Sequence, residues 1–434
     1  VPGLKIYAKD IEKFEGNKIE FFGWLHTKRI LGNISFFVLR DKTGYIQATI
    51  KKEIFGDNYE KIINIREESV IRVYGKVQKK PKGGYEILAE EIEVLNQAEP
   101  LPIEIWNPEI KTKFINRIQY RFLDLRRPEI INIFKIRSSV VNYFREFLIN
   151  NDFIELHTPK IVEMGAESGA DVFEIKYYNK IAYLAQSPQL YKQMLMASGI
   201  DKYFEISPYW RAEKSHTTRH LSEFWSLDIE VAWIKDHYDI INIAEELIKY
   251  TIKKVKKENK EELEILNIDI KVPKDMPKIT LLEAYKILES YGKKLDMYSD
   301  LDTEAEKILG EYFLKEYDEP IVFVINYPWK ERPFYHMRLE EDLNWTKSFD
   351  ALYNGIEILT GAQREHRYEI LVKQIKEKGI SIEPLKYYLE AFRYGMPPHG
   401  GFGLGIDRFV KQLLNIKDIR EVVLWFRDPE HTTP

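Results

Sequence analysis

The chain has 434 residues, 44% of them apolar and 31% charged, which excludes a disordered or membrane-embedded protein and exceeds what one hydrophobic core organises, so two domains are expected, one of them large. A formal charge of -4 gives no global field for a polyanion, so any nucleic-acid site has to be local, and the absence of cysteine excludes disulfides, thiolate catalysis and cysteine-bearing zinc sites. No apolar stretch approaches the roughly 18 residues of a membrane span, and the opening VPGLKIYAKD lacks a secretory layout, so a cytoplasmic protein is expected.

Residues 19 to 98 hold runs of strand type, IEFFGWLHTKRI, SFFVLRD, YIQATI, VIRVYGKVQ and GYEILAEEIEVL, with breaks at LGN, DKTG and KPKGG and a helical piece near EKIINI. The layout is similar to a five-stranded OB barrel and predicts an N-terminal domain over 1–98. In AEPLPIEIWNPEIKT three prolines disfavour regular structure and place a linker or hinge over 99–128. From 129 to 434 amphipathic helices, expected over 130–150, 237–258, 280–292 and 364–379, alternate with strands such as YFEISPYWR and EFWSLDIEVAW, an α+β pattern.

Between those two strands, Arg211, Lys214, Arg219 and His220 crowd onto one loop. Guanidinium forks suit phosphate oxygens and transferring phosphoryl charge, and Phe224 offers a face to a purine, although a solvated basic hairpin is the plainer reading of this stretch alone. HGGFGLGIDRF at 399–409 runs glycines along a strand into a helix near Asp407, with Arg408 placed to stack on a base; a tight packing corner is the alternative. Neither a Walker loop nor a dinucleotide finger is present.

Together with FIELHTPKI, these segments resemble motifs 2, 3 and 1 of the class II aminoacyl-tRNA synthetases, in family order. Motif 1 ends at Pro159, motif 2 supplies Arg211, Ala212, Glu213, Glu223 and Phe224, and motif 3 runs from Gly401 to Arg408. The resemblance covers nearly the whole chain and implies an OB-fold anticodon-binding domain joined to a catalytic antiparallel sheet flanked by helices. LAQSPQLYKQ, GAESGADVF and GAQREHR are similar to archaeal aspartyl members. An asparaginyl enzyme, an asparagine synthetase paralogue and a non-catalytic RNA-binding paralogue are the rival readings.

The resemblance implies ATP as substrate and Mg2+ as cofactor. Lys192 and Arg364 would face the aspartate carboxylate, and asparagine would leave them unpaired at a cost of about 2 to 5 kcal/mol. Glu167 would hold the ammonium, with Gln189 and Tyr335 completing the pocket. Arg211 would bind the α-phosphate, Arg219 and His220 the outer phosphates, Phe224 and Arg408 the adenine, and Glu213 its amino edge. Asp350, Glu357 and Thr360 would hold the metal, although surface pairing is the plainer reading of such carboxylates alone. Arg211, Arg408 and Glu357 are thus the catalytic candidates, and no covalent nucleophile is needed.

In the barrel, Phe36, Arg40, Gln47 and Glu86 are the candidates for reading the middle anticodon base, Phe36 being a core residue on the alternative reading. His26, Pro81 and Lys82 resemble enzymes that accept tRNA(Asn) as well as tRNA(Asp) and pass the product to an amidotransferase. A homodimer is expected through the 130–150 helix. The tail, WFRDPEHTTP, departs from the family in carrying Phe426 where proline is usual.

Overall fold

The computed structural model describes residues 5–106, 111–163, 171–213 and 220–434. It divides into two compact units, Val1–Glu104 and Ile105–Pro434.

In the first unit, β1 (Lys18–Leu31), β2 (Ile34–Asp41), β3 (Gly44–Lys51), β4 (Val70–Lys79) and β5 (Tyr85–Asn96) close into a barrel in the order β1-β2-β3-β5-β4. The pairing is antiparallel except between β3 and β5. Strand alternation turns Phe21, Leu25, Phe37, Leu39, Ile71 and Val73 inward, all fully buried. A short helix, Tyr59–Ile63, falls between β3 and β4, and its Tyr59 and Ile62 join that core. This is the OB arrangement expected from the strand runs.

The larger unit is built on β6 (Ile154–Glu155), β7 (Ile161–Val162), β8 (Glu174–Tyr177), β9 (Lys180–Leu184), β10 (Lys202–Trp210), β11 (Glu223–Ala232), β12 (Lys278–Thr280), β13 (Ile321–Ile325), β14 (Ser348–Tyr353), β15 (Ile356–Gln363) and β16 (His399–Gly405). Eight of these form one sheet, β12-β13-β14-β15-β16-β11-β10-β6, and β7-β9-β8 form a small second one. The large sheet is not wholly antiparallel as expected: β12 runs parallel to β13 and β6 to β10, at its two edges. Helices Pro128–Asn150 and His237–Glu258 bury Ile136, Val140, Phe144, Leu247 and Ile248 in one cluster with Phe402 and Leu404 of β16. The apolar stripe of the first helix is therefore covered by its own chain, so it is not in itself a free dimerisation face.

Two boundaries differ from the sequence expectation. Helices Phe114–Gln119 and Arg121–Asp124 lie inside the expected linker, and Arg117 fixes them by donating to Asp124 at 2.9 Å and Glu421 at 3.0 Å. The helix expected from 364 starts at Tyr368, because β15 runs to Gln363 and Arg364 N then donates to His399 O. Among the described residues no helix is long and apolar enough to cross a membrane.

Candidate active site

A cavity of about 460 Å³ opens over the middle of the large sheet. One end carries Gln189, Lys192, Tyr335 and Arg364, the residues expected to form the amino-acid pocket, and its opposite walls carry Arg211, Glu213, His220, Phe224, Glu357, Thr360 and Arg408. The structure thus gathers side chains from positions 189 to 408 into one space. Asp350 is not on the cavity wall, and Glu167 and Arg219 lie outside the described residues.

At the Lys192–Arg364 end, β11 alternates Ser226, Asp228 and Glu230 on one face, with Leu227, Ile229 and Val231 on the other. Arg364 Nε donates to Glu230 Oε1 at 2.9 Å and Nη2 to Oε2 at 3.3 Å, and Nη2 also reaches Gly401 O at 3.1 Å. Lys192, from helix Gln189–Met196, donates to Asp228 Oδ1 at 3.1 Å, Phe402 O at 3.3 Å and Ile229 O at 3.4 Å. Both cations are buried and already matched by carboxylates, which corrects the expectation that asparagine would leave them unpaired. Lys192 supplies charge, while Arg364 retains a donor at Nη1. Burial alone would raise the Glu230 carboxyl; the nearby Arg364 and Lys192 outweigh it and hold it below the usual carboxylate range.

The glycines of β16 make this packing feasible. A Cβ at Gly401 would collide with the Ile229 carbonyl and the Glu230 carboxylate. The close approach expected from the glycine string is made at this position by the protein's own acid.

At the other end, Tyr209 of β10 faces Phe224 of β11 in register, and Arg211 Cζ stands 5.3 Å from the Phe224 ring centre. Arg211 thus covers the face assigned above to adenine. Arg408, in the first turn of helix Ile406–Leu413, donates Nη1 to Glu357 O at 3.1 Å and Oε1 at 3.2 Å. Asp350 is directly opposite Thr360 across β14 and β15, and a bulge follows between Ala351 and Leu352. In a regular strand Glu357 and Thr360, three apart, would point to opposite faces; the bulge lets both line the cavity.

Asp350 Oδ2 accepts from Arg332 Nη2 at 2.6 Å, while its buried Oδ1 has no hydrogen-bond partner. Burial, reinforced by the Asp350 charge, raises the Glu357 carboxyl above its ordinary range. Arg332 Nη1 also reaches Thr360 Oγ1 at 3.2 Å, so Arg332 and Arg408 hold these oxygens in this structure and Asp350 Oδ1 is left open; the donors are nonetheless of the hard-oxygen type that Mg2+ takes, with water and phosphate completing its shell. No group of three or more His, Cys, Asp or Glu among the described residues forms a fuller cage.

In the barrel unit, Phe36 is half-buried and points away from the core, whereas the neighbouring Phe37 is fully buried inside it. Gln47 Nε2, Thr49 Oγ1 and Gln78 Nε2 all donate to Glu86, at 2.6, 2.6 and 2.8 Å. Burial would raise the Glu86 carboxyl, but these bonds together hold it below the ordinary range. Arg40 donates to buried Glu68 at 2.7 Å and stands over Trp24, while His26 shares Glu68 at 3.2 Å and its ring leans on Tyr45. Pro81 and Lys82 are exposed at the β4–β5 turn.

The residues that sequence reasoning missed are Asp228, Glu230, Arg332 and His336. The first two had a signal, acids at alternate positions with Leu227, Ile229 and Val231 around them; the others lie in an irregular segment with none.

The model of the family described as tRNA synthetases class II (D, K and N) matches residues 115–429, and that of the OB-fold nucleic acid binding domain matches residues 19–95. The chain belongs to the class II tRNA synthetases. Among relatives of this synthetase, the aspartate--tRNA(Asp) ligase of Thermococcus kodakarensis is 45% identical over 99% of each chain. The aspartate--tRNA(Asp/Asn) ligase of Aeropyrum pernix is 42% identical over 98% of this chain and 97% of its own. Among solved structures, asparaginyl-tRNA synthetase from Pyrococcus horikoshii complexed with asparaginyl-adenylate superposes with a TM-score of 0.93, at 33% identity and full coverage of both chains. Synthetases of this family use ATP and typically Mg2+, and tRNA and an amino acid are their partners.

Proposed function

We propose that this synthetase is an aspartate–tRNA ligase, which joins L-aspartate to ATP as aspartyl-adenylate and transfers the aspartyl group to the 3′ end of tRNA(Asp). The observation that carries this reading is the end of the cavity where Lys192 and Arg364 both line the wall and share Glu230, and where Arg364 Nη1, bonded once to His336, keeps its second N–H for a carboxylate. Relatives named aspartate ligases at 42–45% identity support it over the asparaginyl alternative, whose solved structure is 33% identical.

The ionised α-carboxylate of aspartate attacks the α-phosphorus and pyrophosphate departs; a terminal ribose hydroxyl of tRNA then attacks the aspartyl carbonyl and AMP leaves. Positioning and charge stabilisation do this work without a protein nucleophile. Arg211 turns from Phe224 to the α-phosphate, Arg219 and His220 take the outer phosphates, and Phe224 and Arg408 enclose the adenine with Glu213 at its amino edge. Glu167 holds the ammonium, and Gln189 and Tyr335 close the pocket around it. Asp350, Glu357 and Thr360 would hold Mg2+, which supplies charge neutralisation to the phosphates when bound.

The outward face of the barrel, with Phe36, Arg40, Gln47 and Glu86, reads the anticodon. His26, Pro81 and Lys82 support charging of tRNA(Asn) as well, the product going to an amidotransferase. The protein works in the cytoplasm as a homodimer; exposed Phe122, Ile149 and Ile154 in the larger unit support an interface there. ATP–pyrophosphate exchange with aspartate and with asparagine tests the reading. Exchange with aspartate alone supports it, and exchange with asparagine overturns it.

A further inference from the structure

Of the side chains around the amino-acid end, His336 has an arrangement that simple packing does not explain. It is 4% exposed, lies on the cavity wall and pairs through an isolated β-bridge with Arg364. Its Nε2 is 3.2 Å from Arg364 Nη1. A guanidinium only donates, so Nε2 accepts and the ring proton sits on Nδ1. That Nδ1 is buried with no hydrogen-bond partner. A buried donor left unsatisfied is a cost that an apolar side chain of similar size would avoid.

The guanidinium explains what is gained. Its Nε and Nη2 are committed to Glu230 and Gly401 O, which fixes one edge, and Nη1 is the corner left for a ligand. His336 takes one of the two N–H bonds of Nη1, which anchors the planar group at a third corner and leaves the other N–H as the one donor of Nη1 for a ligand. A cationic neighbour would weaken Arg364, but burial together with Arg364, Arg332, Lys378 and Lys192 keeps the imidazole neutral, its basicity held well below that of a free histidine.

We propose that His336 is a positioning and specificity residue: its neutral Nε2 holds Arg364 Nη1 so that the remaining N–H meets the side-chain carboxylate of the amino-acid substrate. An amide NH2 placed there would set donor against donor, so the same corner disfavours asparagine. The inference rests on the aspartate reading above and assigns a role that the motif residues do not include.

The test compares wild type, His336→Leu and His336→Gln by ATP–pyrophosphate exchange, with melting curves for each. Gln carries an amide oxygen near the place of Nε2, whereas Leu removes the acceptor. Loss of a hydrogen bond to a charged group predicts about a 10- to 100-fold rise in aspartate KM for His336→Leu. ATP KM should stay within about twofold, asparagine discrimination should fall, and His336→Gln should restore most of the loss. Unchanged aspartate KM in His336→Leu, or equal losses in both variants with ATP KM rising in parallel, overturns the proposal. Nitrogen NMR of the wild type gives a readout that does not depend on the variants folding: an Nδ1–H tautomer is expected for His336, and an Nε2–H tautomer overturns it. Failure of wild type to exchange with aspartate would instead strike the aspartate reading itself.

Discussion

Glu230 receives Arg364 edge-on through two hydrogen bonds, at 2.9 and 3.3 Å, and lies 3.5 Å from the Lys192 ammonium, so one buried carboxylate positions both cations of the proposed aspartate pocket. Glu230→Gln leaves Lys192 matched by Asp228 and takes from Arg364 the carboxylate it bonds. Breaking a buried pair costs about 3–5 kcal/mol, so a lower melting point is expected together with a rise of more than about tenfold in aspartate KM, a shift of roughly 1.4 kcal/mol in binding. A variant that melts like wild type and binds aspartate normally would mean that Glu230 is a bystander.

Glu357 is raised by burial and by Asp350, so it ionises less readily than a surface glutamate. A group that must be ionised to bind metal loses that ability as pH falls through its raised value, which lies above the ordinary carboxylate range. Activity at limiting Mg2+ should therefore fade on the acid side before ordinary glutamates protonate, and excess Mg2+ should move the edge to lower pH. Glu357→Gln should raise the Mg2+ concentration for half-maximal exchange on the order of 10- to 100-fold. Mg2+ titrations of both proteins decide this; superimposable curves would remove Glu357 from the metal site.

The sequence carried the barrel well because its strands alternate: Phe37 is core and Phe36 is not, as period two requires, although only the structure says which of the pair faces outward. Lys192, Arg211 and Arg408 were legible through motifs whose spacing is local. What was not legible depends on distant partners. Arg117 orders its short helix through Glu421, 304 residues away, so a proline-rich stretch read as linker ends inside the fold. Glu357 and Thr360 share a face only because of a bulge, and His336 acquires meaning only once Arg364 is beside it.

His237, at the start of its helix, is buried with neither ring nitrogen bonded, and burial pushes its pKa down to about 4. The unfolded chain protonates near pH 6.5, so between that value and about 4 the unfolded state binds more protons than the folded one. Stability is full above pH 6.5 and falls as pH drops through this window. His237→Leu should remove part of that loss and raise stability by about 1 kcal/mol at pH 5, since an unsatisfied buried polar group is removed. Urea denaturation at pH 7.5 and 5 measures it; an unchanged pH difference would contradict the assignment.

Phe426, where the family usually has proline, is 2% exposed. It stacks on Phe114 at 6.1 Å, meets His431 at 4.9 Å and lies under Arg420 at 5.3 Å, while the next residue's carbonyl accepts from Ser222 N at 2.8 Å. The departure thus fills the core and anchors the tail beside the loop that carries His220. Phe426→Ala should cost about 3–5 kcal/mol; Phe426→Leu should recover much of it. Calorimetry of the two variants checks the order, and equal stability would show that the tail packs without this ring.

Glu86 decides which way the Gln47 amide faces. Gln47 Nε2 donates to Glu86 Oε2 at 2.6 Å, so the nitrogen is fixed toward the carboxylate and Oε1 is presented as an acceptor. An acceptor at that place suits the N3–H of an unpaired uracil, read on its Watson–Crick edge. Glu86→Gln replaces a pure acceptor by a group that donates as well as accepts, so either orientation of Gln47 becomes tolerable. The expected result is about a tenfold fall in kcat/KM for tRNA, roughly 1.4 kcal/mol, with ATP–pyrophosphate exchange unchanged because the catalytic unit is untouched. Aminoacylation and exchange measured side by side separate the two effects. A fall in both would point to damage beyond the barrel, and a fall in neither would remove the Gln47–Glu86 pair from anticodon reading.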